Sequence, residues 1–320
     1  MFRGEIMVLT READRVAAKK RHKRDRLIRE LPLYFMMIPA VVLMIIFAYG
    51  PMFGLVMAFQ NFSLGLGIFG SEFIGLENFR RLLNMPNFWQ VIRNTVVIAF
   101  SKMVLGIIMP VTFALMLNEV RQVFFKRSLQ TMVYLPHFLS WIIMAGVFID
   151  LLSPSTGIVN IMLQRMGFSP IFFLGNAFWF PITMIVTDVW KGFGFGSIIY
   201  LAALTGIDPT LYESAQIDGA NRWKQTLHIT LPGMKPIIVL LTVLSMGNIL
   251  NAGFDQIVNM YNPSVMSTGD ILDTLLFRLG IEGAQFAIAT AAGLLRSVVA
   301  LIFTVISFVL ADKWAGYRIF

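Results

Sequence analysis

The sequence predicts an all-α protein built as one bundle of six membrane-spanning helices. Of its 320 residues, 57% are hydrophobic and 14% are charged, whereas soluble domains are typically about 25% charged. So few charges cannot provide the polar shell of a soluble domain of this length, which excludes the soluble enzymes. Cysteine is absent, which also excludes disulfide bonds, thiolate zinc sites and a cysteine nucleophile.

Long apolar windows locate the six helices. A run without charged residues extends from 31 to 71, which is longer than the ~20 residues that a helix needs to cross the hydrocarbon. It is also longer than the ~7–15 residues of a signal-peptide core, so a cleaved leader is not expected. The predicted spans are residues 33–59, 91–117, 129–151, 178–204, 237–258 and 284–310.

Topology explains the net charge of +8. If the amino terminus is cytoplasmic, most Lys and Arg residues lie in the tail and the inner loops, as the positive-inside rule requires. We therefore expect both termini in the cytoplasm, a basic tail at 1–30 and one transmembrane domain at 31–320. The basic run of the tail lacks interleaved aromatic residues and adjoins a span, so contact with membrane lipids is favoured over binding to nucleic acid.

Three outer loops are long enough to receive a protein partner. Residues 60–90 are glycine-rich and contain a short predicted helix, residues 153–177 contain an amphipathic segment at 158–166, and residues 259–283 begin with a turn signal. Composition alone leaves open whether these loops bind a partner or only cover the end of the bundle.

The inner loop at 205–236 is predicted to form two short helices joined by a turn. Pro209 suits the first turn of a helix with apolar positions at Leu211 and Ala215, and Gly219 ends it. The second helix is expected to stop at Pro232, before the next span. These residues leave open whether the loop docks on a neighbouring protein or lies on the lipid headgroups.

This loop resembles the signature of the permease subunits of bacterial ATP-binding-cassette importers. That signature has a Glu-Ala-Ala triplet, then a glycine, and Ile-x-Leu-Pro at the end of the stretch, and every spacing agrees here. The single departure is Ser214, which stands where the signature has alanine. The resemblance implies coupling to an ATPase subunit through Tyr212, Glu213, Ser214, Ala215, Asp218, Gly219, Ala220, Ile229, Leu231 and Pro232.

Other segments resemble the carbohydrate-uptake branch of these permeases, among them residues 73–79, Trp190-Lys191 and residues 254–257. Within the branch, the chain is most similar to permeases for oligosaccharides and polysaccharide fragments, including alginate-type systems. The resemblance implies a type I importer fold in the bacterial plasma membrane. It also implies four kinds of partner: a second, homologous permease, two ATPase subunits, a solute-binding protein and a saccharide substrate.

The energy for such transport is expected to come from the partner subunits. The chain has no Gly-x-x-x-x-Gly-Lys phosphate loop, so ATP and Mg²⁺ are expected on the ATPases, and no cofactor or metal on this chain. Its most glycine-rich segment, residues 192–197, lies within a predicted span with no strand before it. We interpret this segment as a site of close helix packing or as a local kink.

Polar residues inside the predicted spans are candidates for the substrate pathway. Each ionisable group costs about 2.5–3.5 kcal/mol in the bilayer unless it is paired or lines a wet cavity. Asp188 and Lys191 are expected to neutralise each other on one helix face. The complete set of candidates is Lys102, Asp188, Lys191, Asn248, Asn251, Asp255 and Arg296.

Two interpretations remain open for the cations of this set. Lys102 and Arg296 have no acidic neighbour on their own helix, and together with Lys191 they would favour an acidic saccharide such as a uronate oligomer. Alternatively, they form salt bridges between helices or with the partner permease. For the two asparagines, the alternative to pathway lining is hydrogen bonding between helices.

Two other classes of function compete with the importer. A membrane-embedded glycan enzyme needs convergent acids, bases or metal ligands, but the histidines, His22, His137 and His228, lie in the tail, the third span and the inner loop. An ion-coupled secondary transporter is the nearer alternative. It is expected to have broken helices and an internal repeat, and the sequence shows neither clearly.

Overall fold

The computed structural model describes residues 29–315, with side chains described up to residue 309. The chain divides into two compact units, Met1–Val56 and Met57–Phe320. Almost the whole predicted basic tail lies outside the described residues. The described part of the first unit is helical throughout and belongs to α1, Arg29–Phe59.

Helices form nearly all of the described structure. Two strands, β1 (Gln60–Asn61) and β2 (Glu72–Phe73), pair antiparallel, with Gln60 opposite Phe73. The helices after α1 are α2 (Gly67–Gly70), α3 (Glu77–Leu83), α4 (Phe88–Glu119), α5 (Val123–Tyr134), α6 (Trp141–Leu151), α7 (Ile158–Arg165), α8 (Trp179–Thr205), α9 (Pro209–Ile217), α10 (Arg222–Gln225), α11 (Leu231–Met246), α12 (Phe254–Met260), α13 (Met266–Gly269), α14 (Leu272–Phe277) and α15 (Phe286–Ala315).

Five of the described helical segments are long and apolar enough to cross a membrane. Four of them match predicted spans apart from small differences at the ends, and Arg222–Met246 overlaps the predicted span at 237–258 only in part. A sixth span is present if one bent pair of helices is counted as one. The five segments are Arg29–Phe59, Phe88–Glu119, Trp179–Thr205, Arg222–Met246 and Phe286–Val309.

The prediction of one continuous third span at 129–151 is wrong. Two helical segments, Val123–Phe138 and Trp141–Leu151, meet there at an angle of 106°. Leu139 has an extended backbone, and the Ser140 hydroxyl accepts a hydrogen bond from the Ile143 N–H, which begins a new helix. A hydropathy window cannot detect this change of direction, because both halves are equally apolar.

The fifth span is also displaced from its predicted position at 237–258. Pro232 does not stop a helix; a continuous helical segment runs through it from Arg222 to Met246. A π-helical turn, Thr226–Thr230, directly precedes the proline, and the Leu231 N–H bonds to the Thr226 carbonyl. This wider turn accommodates the missing N–H of the proline. The helix ends instead at Met246, within the predicted span.

The second compact unit is organised around α4 and α8, which share the most extensive helix contact. Ile98 of α4 and Phe180 and Met184 of α8 are fully buried in the main apolar cluster. α8 also packs closely on α5 at Gly194, where an added Cβ would lie 2.4 Å from the Val133 carbonyl oxygen. The interpretation of the glycine-rich segment as a packing site is therefore confirmed at Gly194.

Candidate functional site

The first half of the loop at 205–236 forms the capped helix and turn that its sequence predicts, whereas the second predicted helix continues into the next span. The Asp208 carboxylate caps α9 by accepting a hydrogen bond from the Thr210 N–H at 2.9 Å, and this bond lowers the pKa of the carboxyl. Gly219 ends α9 with a left-handed φ of 75°. The Ala220 N–H then bonds to the Ala215 carbonyl at 2.8 Å, which satisfies the helix end.

Several contacts hold the loop against the membrane helices. The Tyr212 hydroxyl lies 3.0 Å from the Thr230 hydroxyl, and the Ile207 side chain packs on Gly233. Arg222 forms an ion pair with Glu119, at the end of α4, at 3.7 Å. The loop is therefore fixed in orientation relative to α4 and α11.

The surface that this loop presents is strongly apolar for an exposed segment. Leu211, Ile217 and Trp223 are 51%, 87% and 74% exposed. Among the predicted coupling residues, Glu213, Ser214, Asp218, Gly219 and Pro232 are exposed, and Tyr212, Ala215, Ala220, Ile229 and Leu231 are partly buried. Exposed large apolar side chains on a rigid loop are typical of a protein interface.

The predicted pairing of Asp188 with Lys191 is wrong. Asp188 instead pairs with Lys102 of α4, with Nζ and Oδ1 3.4 Å apart. Lys191 donates to the His137 carbonyl at 3.1 Å and lies 5.2 Å from the centre of the Trp141 ring. The close packing of α4 on α8 brings a cation from another helix to Asp188, so this contact prevails over the local i,i+3 pairing.

Arg296 is paired within the chain as well. Its guanidinium bonds to the Asp273 carboxylate at 2.5 Å. Burial raises the pKa of the Asp273 carboxyl, and the charge of Arg296 acts in the opposite direction. For Lys102 and Arg296 the alternative of salt bridges between helices is thus confirmed.

Three cavities adjoin one another at the break between α11 and α12, and Asn251 lines all of them. The largest has a volume of about 510 Å³ and is lined by Trp141, Asn251, Gly253, Phe254, Asp255, Asp273 and Arg296. A second, of about 340 Å³, is lined by Ala99, Lys102, Met103, Asp188, Ser245, Asn248, Asn251 and Gly253. The third, of about 440 Å³, is lined by Gly247, Asn248, Leu250, Asn251, Gly293, Arg296, Ser297 and Ala300.

All predicted pathway residues except Lys191 therefore line this group of cavities. Asn248 and Asn251 lie in the break rather than in a continuous helix, and both are exposed. Asn251 accepts a hydrogen bond from the Gly253 N–H at 3.1 Å. Among the described residues, no group of three or more His, Asp or Glu side chains is arranged to hold a metal ion.

Residues 102–315 match the family of binding-protein-dependent transport system inner membrane components. The chain belongs to this family. It is therefore a multi-pass inner-membrane permease subunit of a sugar ABC importer. Permeases of this family work with ATPase subunits and a binding protein.

Relatives of the permease transport several kinds of saccharide. The polygalacturonan/rhamnogalacturonan transport system permease protein YteP of Bacillus subtilis is 38% identical over 94% of this chain and 95% of its own length. The lactose transport system permease protein LacF of Rhizobium radiobacter is 32% identical over 74% of this chain and 79% of its own. A bacterial ABC transporter that imports the acidic polysaccharide alginate contains a chain 40% identical to the permease, with a TM-score of 0.83 and coverage of 91% and 98%.

The cavities of the permease offer chemistry suited to a sugar. Asn248 and Asn251 provide amide donors and acceptors for hydroxyl groups, and Trp141 provides an aromatic side chain in the largest cavity, which Asn251 also lines. Charged side chains lie among them, but Lys102 and Arg296 are each balanced by a carboxylate.

Sequence reasoning missed Trp141, Asp273 and Gly253 as cavity residues. Trp141 lies within the predicted third span but is not polar, and Asp273 lies in the predicted loop at 259–283, outside the spans. Gly253 follows Asn251 closely at the end of an apolar run, and this Asn-x-Gly sequence was a usable signal for a break.

Proposed function

We propose that the permease passes an oligosaccharide through the cavities at the α11–α12 break. The observation that carries this proposal is the convergence of Asn248, Asn251, Asp255 and Arg296 on one group of cavities. These polar groups come from three segments of the chain. Their convergence gives a hydrated path in a protein whose helices are otherwise suited to hydrocarbon.

The transported substrate is an oligosaccharide. The relatives, and not the charges in the cavities, favour an acidic one. One relative belongs to a transporter that imports the acidic polysaccharide alginate, and another belongs to a polygalacturonan/rhamnogalacturonan transport system. In this chain, Lys102 and Arg296 support acidic cargo less than their sequence positions suggest, because Asp188 and Asp273 balance them. Lys191 of α8 contacts the break between α5 and α6, where it donates to the His137 carbonyl.

The proposed complex contains the partners that permeases of this family work with. A second, homologous permease forms a heterodimer with this chain, and two ATPase subunits bind from the cytoplasm, where both termini lie. One ATPase receives the loop at 205–236, with the exposed Glu213 in the middle of α9 and Gly219 just after its end. A solute-binding protein delivers the sugar to the outer loops. The chain itself catalyses no reaction, and ATP is hydrolysed on its partners.

Replacing Asn251 with leucine tests the cavity directly. A hydrogen bond to a neutral group contributes about 0.5–1.5 kcal/mol, so sugar uptake per ATP hydrolysed should fall roughly 2–10-fold. Hydrolysis stimulated by the loaded binding protein should persist, because the loop at 205–236 is unchanged. Both rates are measured in proteoliposomes containing the complete complex, with a neutral and an acidic oligosaccharide as separate substrates.

The matched control is Asn118→Leu, an exposed asparagine at the inner end of α4. It should leave the uptake per ATP unchanged. If the Asn251→Leu complex transported both sugars with the same uptake per ATP hydrolysed as the unmodified protein, the proposed pathway would be contradicted.

A further inference from the structure

Lys102 joins the helix break to the two central helices of the second unit. Its side chain is buried on α4, with a relative exposure of 8%. The ammonium donates to the Ala252 carbonyl at 2.8 Å, donates to the Gln256 side-chain oxygen, and pairs with Asp188 of α8. It thus satisfies a carbonyl that the interrupted helix leaves without a helical partner.

Gln256 fastens the far side of the break to α8. This side chain is fully buried at the start of α12. Its amide nitrogen donates to the Met184 carbonyl at 2.9 Å and to the Thr187 hydroxyl at 2.7 Å. The residues on both sides of Gly253 are therefore attached, through Lys102 and Gln256, to α8 and α4.

Gly253 allows this close approach. Its φ of 89° is left-handed, and an added Cβ would lie 2.8 Å from the Lys102 Nζ. A side chain at this position would displace the ammonium from the carbonyl. The backbone of the break and the buried lysine thus fit together as one unit.

α8 also leads directly to the loop at 205–236. It ends at Thr205, and α9 begins at Pro209, only a few residues later. The same helix holds the other break bordering the largest cavity, since Lys191 donates to the His137 carbonyl. If the loop moves and α8 moves with it, the hydrogen bonds of Lys102, Gln256 and Lys191 transmit this movement to the residues that line the cavities.

We propose that Lys102 is a positioning residue, which with Asp188 and Gln256 makes the α11–α12 break follow α8 during the transport cycle. Asn251, one residue before Ala252, then changes its exposure when the ATPases bind ATP. This role differs from that of a cation that attracts acidic cargo. It rests on the proposed function, since the break is taken to line the sugar pathway.

The absence of cysteine from the chain makes a direct test possible. Asn251→Cys is introduced into the complete complex in proteoliposomes, and the rate of maleimide labelling of this chain is measured without nucleotide and with ATP plus vanadate. We expect the two rates to differ at least about fivefold. In Lys102→Met/Asp188→Leu, which removes both charges together, we expect the ratio of rates to fall close to one, with the ATPase subunits still copurifying.

Two further variants make the outcome decisive. Arg127→Met, at an exposed cation of α5, is the matched control and should keep the full ratio. Gln256→Met removes the hydrogen bonds between α12 and α8 without removing a charge and should also lower the ratio of labelling rates. If either assembled variant, Lys102→Met/Asp188→Leu or Gln256→Met, keeps the full ratio of labelling rates, the inference is overturned and the proposed function is not. If neither variant assembles, the network serves folding, and the inference is overturned as well. Equal rates in Asn251→Cys itself would overturn the cavity as the pathway, and the inference with it.

Discussion

Replacing Gly219 with alanine is expected to weaken binding of the ATPase subunit about tenfold and to reduce sugar uptake accordingly. Gly219 has a φ of 75°, a conformation that costs a residue with a Cβ about 1–2 kcal/mol. A cost of 1.4 kcal/mol corresponds to a factor of ten in an equilibrium constant. The turn redirects the chain from α9 to α10, so relief of this strain would reorient the exposed face of α9. Binding of the purified ATPase subunit to the permease complex measures the effect.

Gly206→Ala is the matched control in the same loop. Gly206 caps the end of α8 with a φ of −86°, which alanine adopts freely, and its added Cβ would make only an ordinary contact, 3.5 Å from the Ala203 carbonyl oxygen. This variant should bind the ATPase normally. Normal binding by Gly219→Ala as well would contradict the role assigned to the turn.

Replacing Arg278 with methionine is expected to destabilise the permease by about 3 kcal/mol, because it leaves a buried carboxylate without its cation. Arg278 bonds to both carboxylate oxygens of Asp270, at 3.2 and 2.6 Å, and this pairing raises the pKa of the guanidinium. Only 5% of the Asp270 side chain is exposed. Arg278 also donates to the Tyr261 hydroxyl at 3.3 Å. Thermal unfolding of the purified complex in detergent measures the loss.

An exposed ion pair of the same chain provides the comparison. Arg81 lies 3.5 Å from Glu77 at the surface of α3, with 51% of its side chain exposed. Arg81→Met should cost less than about 1 kcal/mol, as is typical of surface pairs. If the two variants lost equal stability, the buried pair would not have the structural role that its burial indicates.

Helix content and approximate span positions could be predicted because they depend on local composition. The two errors in the spans concern where helices break rather than their composition. At Leu139 an extended residue interrupts an apolar run, and at Met246 the helix ends inside the window that predicts the fifth span. A hydropathy average is insensitive to such a break, and the π turn before Pro232 shows that a proline need not end a helix.

The first half of the loop at 205–236 could be predicted in detail because its signals are short-range. Asp208, Pro209 and Gly219 each act within a few residues, as a cap, a first turn and a left-handed end. The partner of Lys102 could not be predicted this way. Asp188 lies far away in sequence, and only the packing of α4 against α8 brings the two together.

Broken helices do not distinguish an ion-coupled transporter from this protein. The chain has breaks between α5 and α6 and between α11 and α12, yet it belongs to a binding-protein-dependent transport family. In both cases a lysine bonds to a carbonyl of the break, Lys191 to His137 and Lys102 to Ala252. Irregular backbone of this kind is tolerated at membrane depth where protein contacts or a wet cavity satisfy it.

ATP hydrolysis on partner subunits is expected to drive sugar through this chain. The most direct measurement is uptake of a labelled oligosaccharide by proteoliposomes that contain both permeases and both ATPases, with the loaded binding protein outside. Uptake should require ATP and the binding protein, stop with vanadate, and persist when ion gradients are dissipated. Uptake driven by an ion gradient without the ATPase subunits would contradict ATP-driven transport through this chain.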